Sequence, residues 1–77
     1  MATPTPLFEY ESGRIAAELE VARSLVSANP ARAGKWNPLI ARAEAAVKGP
    51  LAREDAPGLQ RAVREAEGIL APLAGTA

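Results

Sequence analysis

Apolar positions recur along this chain at spacings of three and four residues, which is the period of an amphipathic α-helix. The first such stripe begins near the N-terminus and is formed, with one serine, by Phe8, Ser12, Ile15, Leu19, Ala22 and Val26. Pro6 suits the first turn of a helix, and Pro30 pushes the residue before it out of the helical region. The pattern therefore predicts a first helix over residues 6–28, after a flexible lead-in over residues 1–5.

Asparagine, proline and glycine mark the two ends of a second helix. Asn37-Pro38 combines a common N-cap residue with proline at the first helical position, and Gly49-Pro50 is a common helix stop. Between these signals the apolar positions are Leu39, Ile40, Ala43, Ala46 and Val47. A second helix is therefore predicted over residues 38–48.

A third apolar stripe occupies the last part of the chain and is formed by Leu59, Ala62, Val63, Ala66, Ile69, Leu70 and Leu73. Asp55 is a typical N-cap residue, so a third helix is predicted over residues 56–73. A connector over residues 29–37 and a loop over residues 49–55 would join the three helices. No segment alternates between apolar and polar residues as a half-buried strand does.

These elements predict an all-α fold, either a small three-helix bundle or a helical hairpin plus a third helix, in a single domain over residues 1–77. Ordering about 60 residues costs on the order of 90 kcal/mol, and burying about 3,500 Å² of apolar surface offsets roughly 88 kcal/mol. Eighteen of the apolar residues are alanines, which bury little surface each. We therefore expect further burial, through self-association or against a larger partner.

Composition excludes several classes of function. The chain has no cysteine and no histidine, which removes thiolate catalysis, the usual zinc sites and the commonest general base. Nine basic residues balance nine acidic ones, so the chain lacks the overall positive charge of a dedicated nucleic-acid binder. No apolar run approaches the length of a membrane span, and we expect no association with a membrane.

Carboxylates are the remaining candidates for chemistry. They occur as pairs two residues apart: Glu9 and Glu11, Glu18 and Glu20, and Glu65 and Glu67. On a helix this spacing directs side chains to different faces, so the two members of a pair cannot easily share a proton or a metal ion. We therefore expect no catalytic residue, no metal site and no cofactor, and we predict that the chain is not an enzyme.

Location and origin are predicted from the ends of the chain and from residue usage. Residues 1–9 contain no basic residue and no apolar core of a signal peptide, so a cytoplasmic protein is expected. Alanine, arginine, glycine and proline are abundant and have GC-rich codons, which favours a bacterial or phage origin.

A basic segment with one aromatic residue is the first candidate for a binding site. Residues 29–53 carry five basic residues and one acidic residue, a net charge of +4. Within this segment, four residues combine cations with an aromatic ring: Arg32, Lys35, Trp36 and Arg42. Such a group can hold a phosphate and stack a base. The alternative is that Trp36 closes one end of the bundle and that solvated cations surround it.

The second candidate is the pair Phe8 and Tyr10, which alternates with Glu9 and Glu11 after the proline-rich lead-in. An apolar cluster of this kind can insert into a groove of a partner protein. Equally, Phe8 can extend the stripe of the first helix into the core of this chain.

The predicted function is a non-catalytic protein–protein interaction protein. It would be a small helical accessory or assembly subunit that packs on itself or on a larger partner. The alternative is a nucleic-acid-binding module that uses the basic middle segment and Trp36, although the balanced charge makes nucleic acid the less favoured partner.

Overall fold

Three α-helices and one turn of 3-10 helix form the chain in a computed structural model that describes residues 6–74. Helix α1 spans Pro6–Ala28, α2 spans Ala33–Arg53 and α3 spans Ala56–Ala74, and the 3-10 turn spans Pro30–Arg32. The three helices pack against one another, and no strand occurs in the described part of the chain. The predicted all-α, three-helix architecture is confirmed. The predicted lead-in over residues 1–5 lies outside the described residues.

Helix α1 has the predicted bounds, and its C-terminal end is closed by Asn29. The Asn29 side-chain amide donates a hydrogen bond to the carbonyl of Leu25 at 2.9 Å, and the Asn29 backbone N–H donates to Val26 at 3.1 Å. Asn29 does not cap the 3-10 turn that follows, because its side chain makes no hydrogen bond to that turn. The residue therefore satisfies carbonyls at the end of one helix rather than N–H groups at the start of the next.

The predicted second helix, over residues 38–48, is too short at both ends. Helix α2 begins at Ala33, so Pro38 lies inside it and Asn37 is an exposed helical residue rather than an N-cap. Local signals are overridden here by burial, since Trp36 is only 3% exposed and belongs to the same apolar face as Ile40. Burying the indole ring keeps the turn before Pro38 helical, and most of the predicted connector over residues 29–37 is helix or 3-10 turn.

The predicted end of the second helix, at Gly49-Pro50, is also wrong. Helix α2 continues to Arg53, because Leu51 packs against the core after the proline. The helix ends where Glu54 adopts a left-handed conformation with φ of 53°, and the Asp55 N–H then donates to the Pro50 carbonyl at 3.0 Å. The predicted loop over residues 49–55 is thus a tight turn of two residues.

Helix α3 begins and ends within one residue of its predicted bounds, and Asp55 caps it as expected. Asp55 Oδ1 accepts a hydrogen bond from the Gly58 backbone N–H at 3.1 Å, and the Asp55 carbonyl accepts one from Leu59 at 2.7 Å. The cap satisfies N–H groups in the first turn that have no partner within the helix.

The core is centred on α3, whose apolar face is covered by both other helices. Leu59, Val63 and Ala66 are completely buried, as is Ala43 of α2. Small side chains at Ala43 and Ala66 allow α2 and α3 to approach closely. Helix α1 adds Ile15, Leu19 and Ala22 to the same cluster. On the surface, an ion pair between Arg23 and Glu44 joins α1 to α2.

Replacing Gly68 by alanine is expected to stabilise the bundle by about 0.5–1 kcal/mol, because glycine is a poor helix former. Gly68 is exposed inside α3, and an added Cβ would meet no other atom within 4 Å. Thermal or urea denaturation followed by circular dichroism measures the change.

Gly58→Ala is the matched control in the same helix. A Cβ at position 58 would collide with the Asp55 carboxylate that caps α3, so this variant is expected to lose stability. A gain in stability for both variants, or for neither, would contradict this account of the two positions.

Candidate functional site

The structure brings three of the predicted binding residues to one exposed face of the bundle. Lys35 and Arg42 are two turns apart on α2, and Arg32 lies in the 3-10 turn just before this helix. All three side chains are exposed, and no ion pair to an acidic residue is found for them within residues 6–74. We name Arg32, Lys35 and Arg42 the α2 basic face.

Trp36, the fourth residue of that group, lies in the core rather than on the surface. Its side chain is 3% exposed and belongs to the main apolar cluster. The Arg32 guanidinium carbon lies 5.4 Å from the centroid of the indole ring, within the range of a cation–π contact. Arg32 therefore lies over the indole, and stacking of a base on this ring would require both residues to move.

Phe8 and Tyr10 occupy different environments on α1. Phe8 is half-buried and packs against the core cluster, as expected if it extends the apolar stripe of the first helix. Tyr10 points outward and is 63% exposed. The two residues that the sequence analysis grouped as one docking element are thus divided between the interior and the surface.

An apolar groove with a volume of about 560 Å³ lies between α1 and α3. Its walls are mostly alanine, leucine and valine, and we name it the α1/α3 groove. The lining residues are Arg14, Ala17, Glu18, Val21, Ala22, Leu25, Glu67, Leu70, Ala71, Leu73 and Ala74. The groove is open because alanines occupy positions at which larger side chains would fill the space between α1 and α3.

The large exposed apolar side chains of the described residues lie on α1, on or near the wall of the groove. Val21 is 59% exposed, and Tyr10 and Val21 are the large hydrophobic residues that stand out from the described surface. Tyr10, Arg14, Ala17 and Val21 follow one another at spacings of four, three and four residues. They therefore form one stripe of α1, and Tyr10 extends the groove wall toward the N-terminus.

A cluster of three charged side chains forms the polar end of the groove. Arg14 Nη2 lies 2.6 Å from Glu67 Oε2, and Arg14 Nε lies 3.8 Å from Glu18 Oε2. Two carboxylates from different helices thus share one guanidinium. A fourth charge is near, because Glu11 interacts electrostatically with the same arginine.

The Glu18 carboxyl is the most perturbed group of the cluster. Burial, then the hydrogen bond and the negative charge of Glu67, raise the pKa of Glu18 to about 7, and Arg14 opposes this shift only in part. The Glu18 Oε1 atom is buried and has no hydrogen-bond donor, and the same holds for Oε1 of Glu11, a residue that is 3% exposed. The groove end therefore holds more acceptor oxygens than the neighbouring donors can satisfy.

Sequence reasoning missed this cluster because it considered only carboxylates that are close along the chain. Glu18 and Glu67 belong to two different predicted pairs, and only the packing of α1 against α3 brings them together. Their positions beside the apolar stripes of α1 and α3 were the available signal. A polar residue at the border of a stripe faces the neighbouring helix.

The chemistry open to the groove end is set by its two carboxylates. A shared proton or an incoming cation can satisfy the two carboxylates, whereas no group of three or more acidic side chains within residues 6–74 is placed to hold a metal ion. None of the helices over these residues is long and apolar enough to cross a membrane. Comparison of the chain with protein-family models, curated proteins and solved structures found no match.

Stability is expected to depend on pH through Glu18. The pKa of this carboxyl is higher in the folded chain, about 7, than its ordinary value of 4.5, so the folded state binds more protons between these values. Folding stability should therefore fall as pH rises from about 4.5 to about 7. Glu18→Gln removes the ionisable group. The stability of this variant relative to the unmodified chain should therefore be greater at pH 8 than at pH 5.

Urea denaturation at the two pH values measures this difference. Glu20→Gln, on the exposed side of the same helix, is the matched control. A stability difference between Glu18→Gln and the unmodified chain that stays the same from pH 5 to pH 8 would contradict the raised pKa.

Proposed function

We propose that this chain is a non-catalytic protein–protein interaction subunit, a small helical accessory or assembly protein, and that a helix of a partner protein docks in the α1/α3 groove. The observation that carries the proposal is the exposed apolar stripe along the groove. Val21 is 59% exposed and lines an alanine- and leucine-rich depression, and Tyr10, which is 63% exposed, lies on the same stripe of α1 beyond the lining. Exposed apolar patches next to grooves are typical of interaction sites.

The dimensions of the groove support a helix as the occupant. Along α1 the lining extends from Arg14 to Leu25, a distance of about 17 Å at 1.5 Å per residue. This length matches about three turns of a docked helix. Such a helix would contact α1 and α3 together and would complete a four-helix arrangement, with its apolar residues opposite Val21 and Leu70.

Burial of the groove would also add to a small core. The largest side chains that are fully buried in this chain are Ile15, Leu59, Leu73, Val47 and Val63. A docked helix would cover the exposed parts of Val21 and Tyr10 and remove additional apolar surface from water, which favours association.

Site-specific photo-crosslinking in the cells that produce the protein tests this proposal. A benzophenone amino acid at position 21 is expected to form an adduct with one protein, and mass spectrometry should place the crosslink on a helical segment of it. Ala41 is an exposed position of α2 away from the groove and serves as the matched control.

The expected result is an adduct from position 21 and none from position 41. Equal labelling from the two positions, or no adduct from position 21 at any level of expression, would reject the groove as a docking site. An adduct with a mass of two copies of this chain would support the docking face and identify a second copy as its occupant.

A second candidate function, nucleic-acid binding, is favoured by the α2 basic face. Lys35 and Arg42 lie on one side of α2 and Arg32 lies in the turn before it, and none of the three forms an ion pair among the described residues. Three cations on one face can contact a phosphate backbone, and such binding weakens as salt increases. The burial of Trp36 removes base stacking from this hypothesis and leaves an electrostatic contact alone.

Fluorescence anisotropy with a labelled single-stranded oligonucleotide at low salt tests whether binding depends on the α2 basic face or on positive charge anywhere on the surface. If the α2 basic face binds, changing Arg32, Lys35 and Arg42 to glutamine should weaken binding at least tenfold. Changing Lys48, Arg61 and Arg64 to glutamine removes the same charge from other exposed positions and is the matched control. Equal losses for the two triple variants, or no binding by the unmodified chain, would dismiss this function.

A further inference from the structure

The polar end of the α1/α3 groove lacks one positive charge. Arg14 is the one basic residue in the groove lining, and it faces Glu67 at 2.6 Å and Glu18 at 3.8 Å. With both carboxylates ionised, these three side chains carry a net charge of −1, and the interacting Glu11 makes it −2. The side chains of Arg14, Glu18 and Glu67 are 40%, 35% and 26% exposed, so solvent screens the excess negative charge in part, and a positive charge brought by a partner would complete the pairing.

One carboxylate oxygen at this end of the groove lacks a hydrogen-bond donor. Glu18 Oε1 is buried without a hydrogen-bond partner at the groove, and Glu11 Oε1 is in the same state one heptad earlier on α1. An ammonium or guanidinium group donates several hydrogen bonds at once, so it could bind the partly exposed Glu18 and Glu67 side chains and neutralise their excess charge. The adjacent groove is apolar, so this cation would belong to a partner whose contact surface is otherwise apolar.

We infer that the occupant of the α1/α3 groove is an amphipathic helix of a different protein that carries a lysine or arginine at the end of its apolar stripe, placed to bind Glu18 and Glu67. This inference rests on the proposed function and adds the chemistry of the partner. Apolar side chains of that helix cover Val21 and Leu25, and its basic residue lies one or two turns away, beside the two carboxylates.

A second copy of this chain fits the same groove less well. In a two-fold symmetric dimer the same surface lies on both sides of the interface. The second copy would therefore bring only its own Arg14, which is already engaged by its own Glu67. Each protomer would add two carboxylates and one cation, so the net charge at the groove end would remain negative.

A display library of helical peptides tests the chemistry of the occupant. The library has a fixed stripe of alanine and leucine and random residues at the other positions, and it is selected on the full chain. Binders that also bind the Val21→Glu variant are removed, because they do not use the groove. The expected result is that the remaining binders share a lysine or arginine at one position near an end of the stripe.

A double-mutant cycle then locates the contact of that basic residue. Changing it to glutamine should weaken binding to the unmodified chain by about tenfold or more, as for hydrogen bonds between charged groups. The same peptide change should have little effect on binding to Glu18→Gln or to a double variant in which Glu67→Gln is added. Circular dichroism confirms that each variant is folded, and Glu20→Gln is the control chain.

Four outcomes would overturn the inference. Groove-dependent binders without a shared basic residue, or a peptide change that weakens binding equally to all chains, would reject the cation while leaving the docking groove intact. Light scattering that shows a dimer of the unmodified chain, which Val21→Glu dissociates, would assign the groove to a second copy. The absence of any Val21-dependent binder would reject the inference and the proposed function together.

Discussion

The fold depends on one shared surface, the apolar face of α3, against which both other helices must pack. Leu59, Val63 and Ala66 on this face have no exposed surface, and the turn at Glu54-Asp55 holds α2 directly against it. Helix α2 packs on one side of α3 and contributes Ile40, Ala43 and Val47 to the core. Helix α1 covers the other side with Ile15, Leu19 and Ala22 but leaves a groove where both walls carry small residues. The candidate docking surface is therefore a consequence of how one helix divides its contacts between two neighbours.

The two ends of this groove differ in polarity. One end is apolar, and the other holds two carboxylates that compete for Arg14. A raised pKa at Glu18 is the expected response of a carboxyl that is partly buried beside another carboxyl. Ionisation of Glu18 should therefore lower the stability of the chain, and a positive charge at the groove end should oppose this loss. If a helix with a basic residue binds here as proposed, its binding and the loss of the Glu18 proton are linked.

Sequence patterns predicted what local chemistry determines and failed where tertiary packing opposed it. The apolar period located all three helices, and Asp55 was correctly expected to cap α3. Asn37-Pro38 and Gly49-Pro50 are equally clear local signals, yet burial of Trp36 and packing of Leu51 extend α2 past both. The cluster of charged side chains in the groove could not be predicted for a different reason, because Glu18 and Glu67 become neighbours only when α1 packs against α3. Of the predicted binding residues, Arg32, Lys35 and Arg42 share a face, whereas Tyr10 lies on the stripe of the groove wall.

The most direct test of this account is a pH titration of the Glu18 side-chain carboxyl by carbon-13 nuclear magnetic resonance in the unmodified chain. The account predicts that this carboxyl titrates with a pKa of about 7, and that a bound helix with a basic residue lowers that pKa. Titration of Glu18 at its ordinary value near 4.5 in the unbound chain would show that the groove end needs no external cation. It would contradict the proposal that a basic residue of a partner helix binds Glu18 and Glu67.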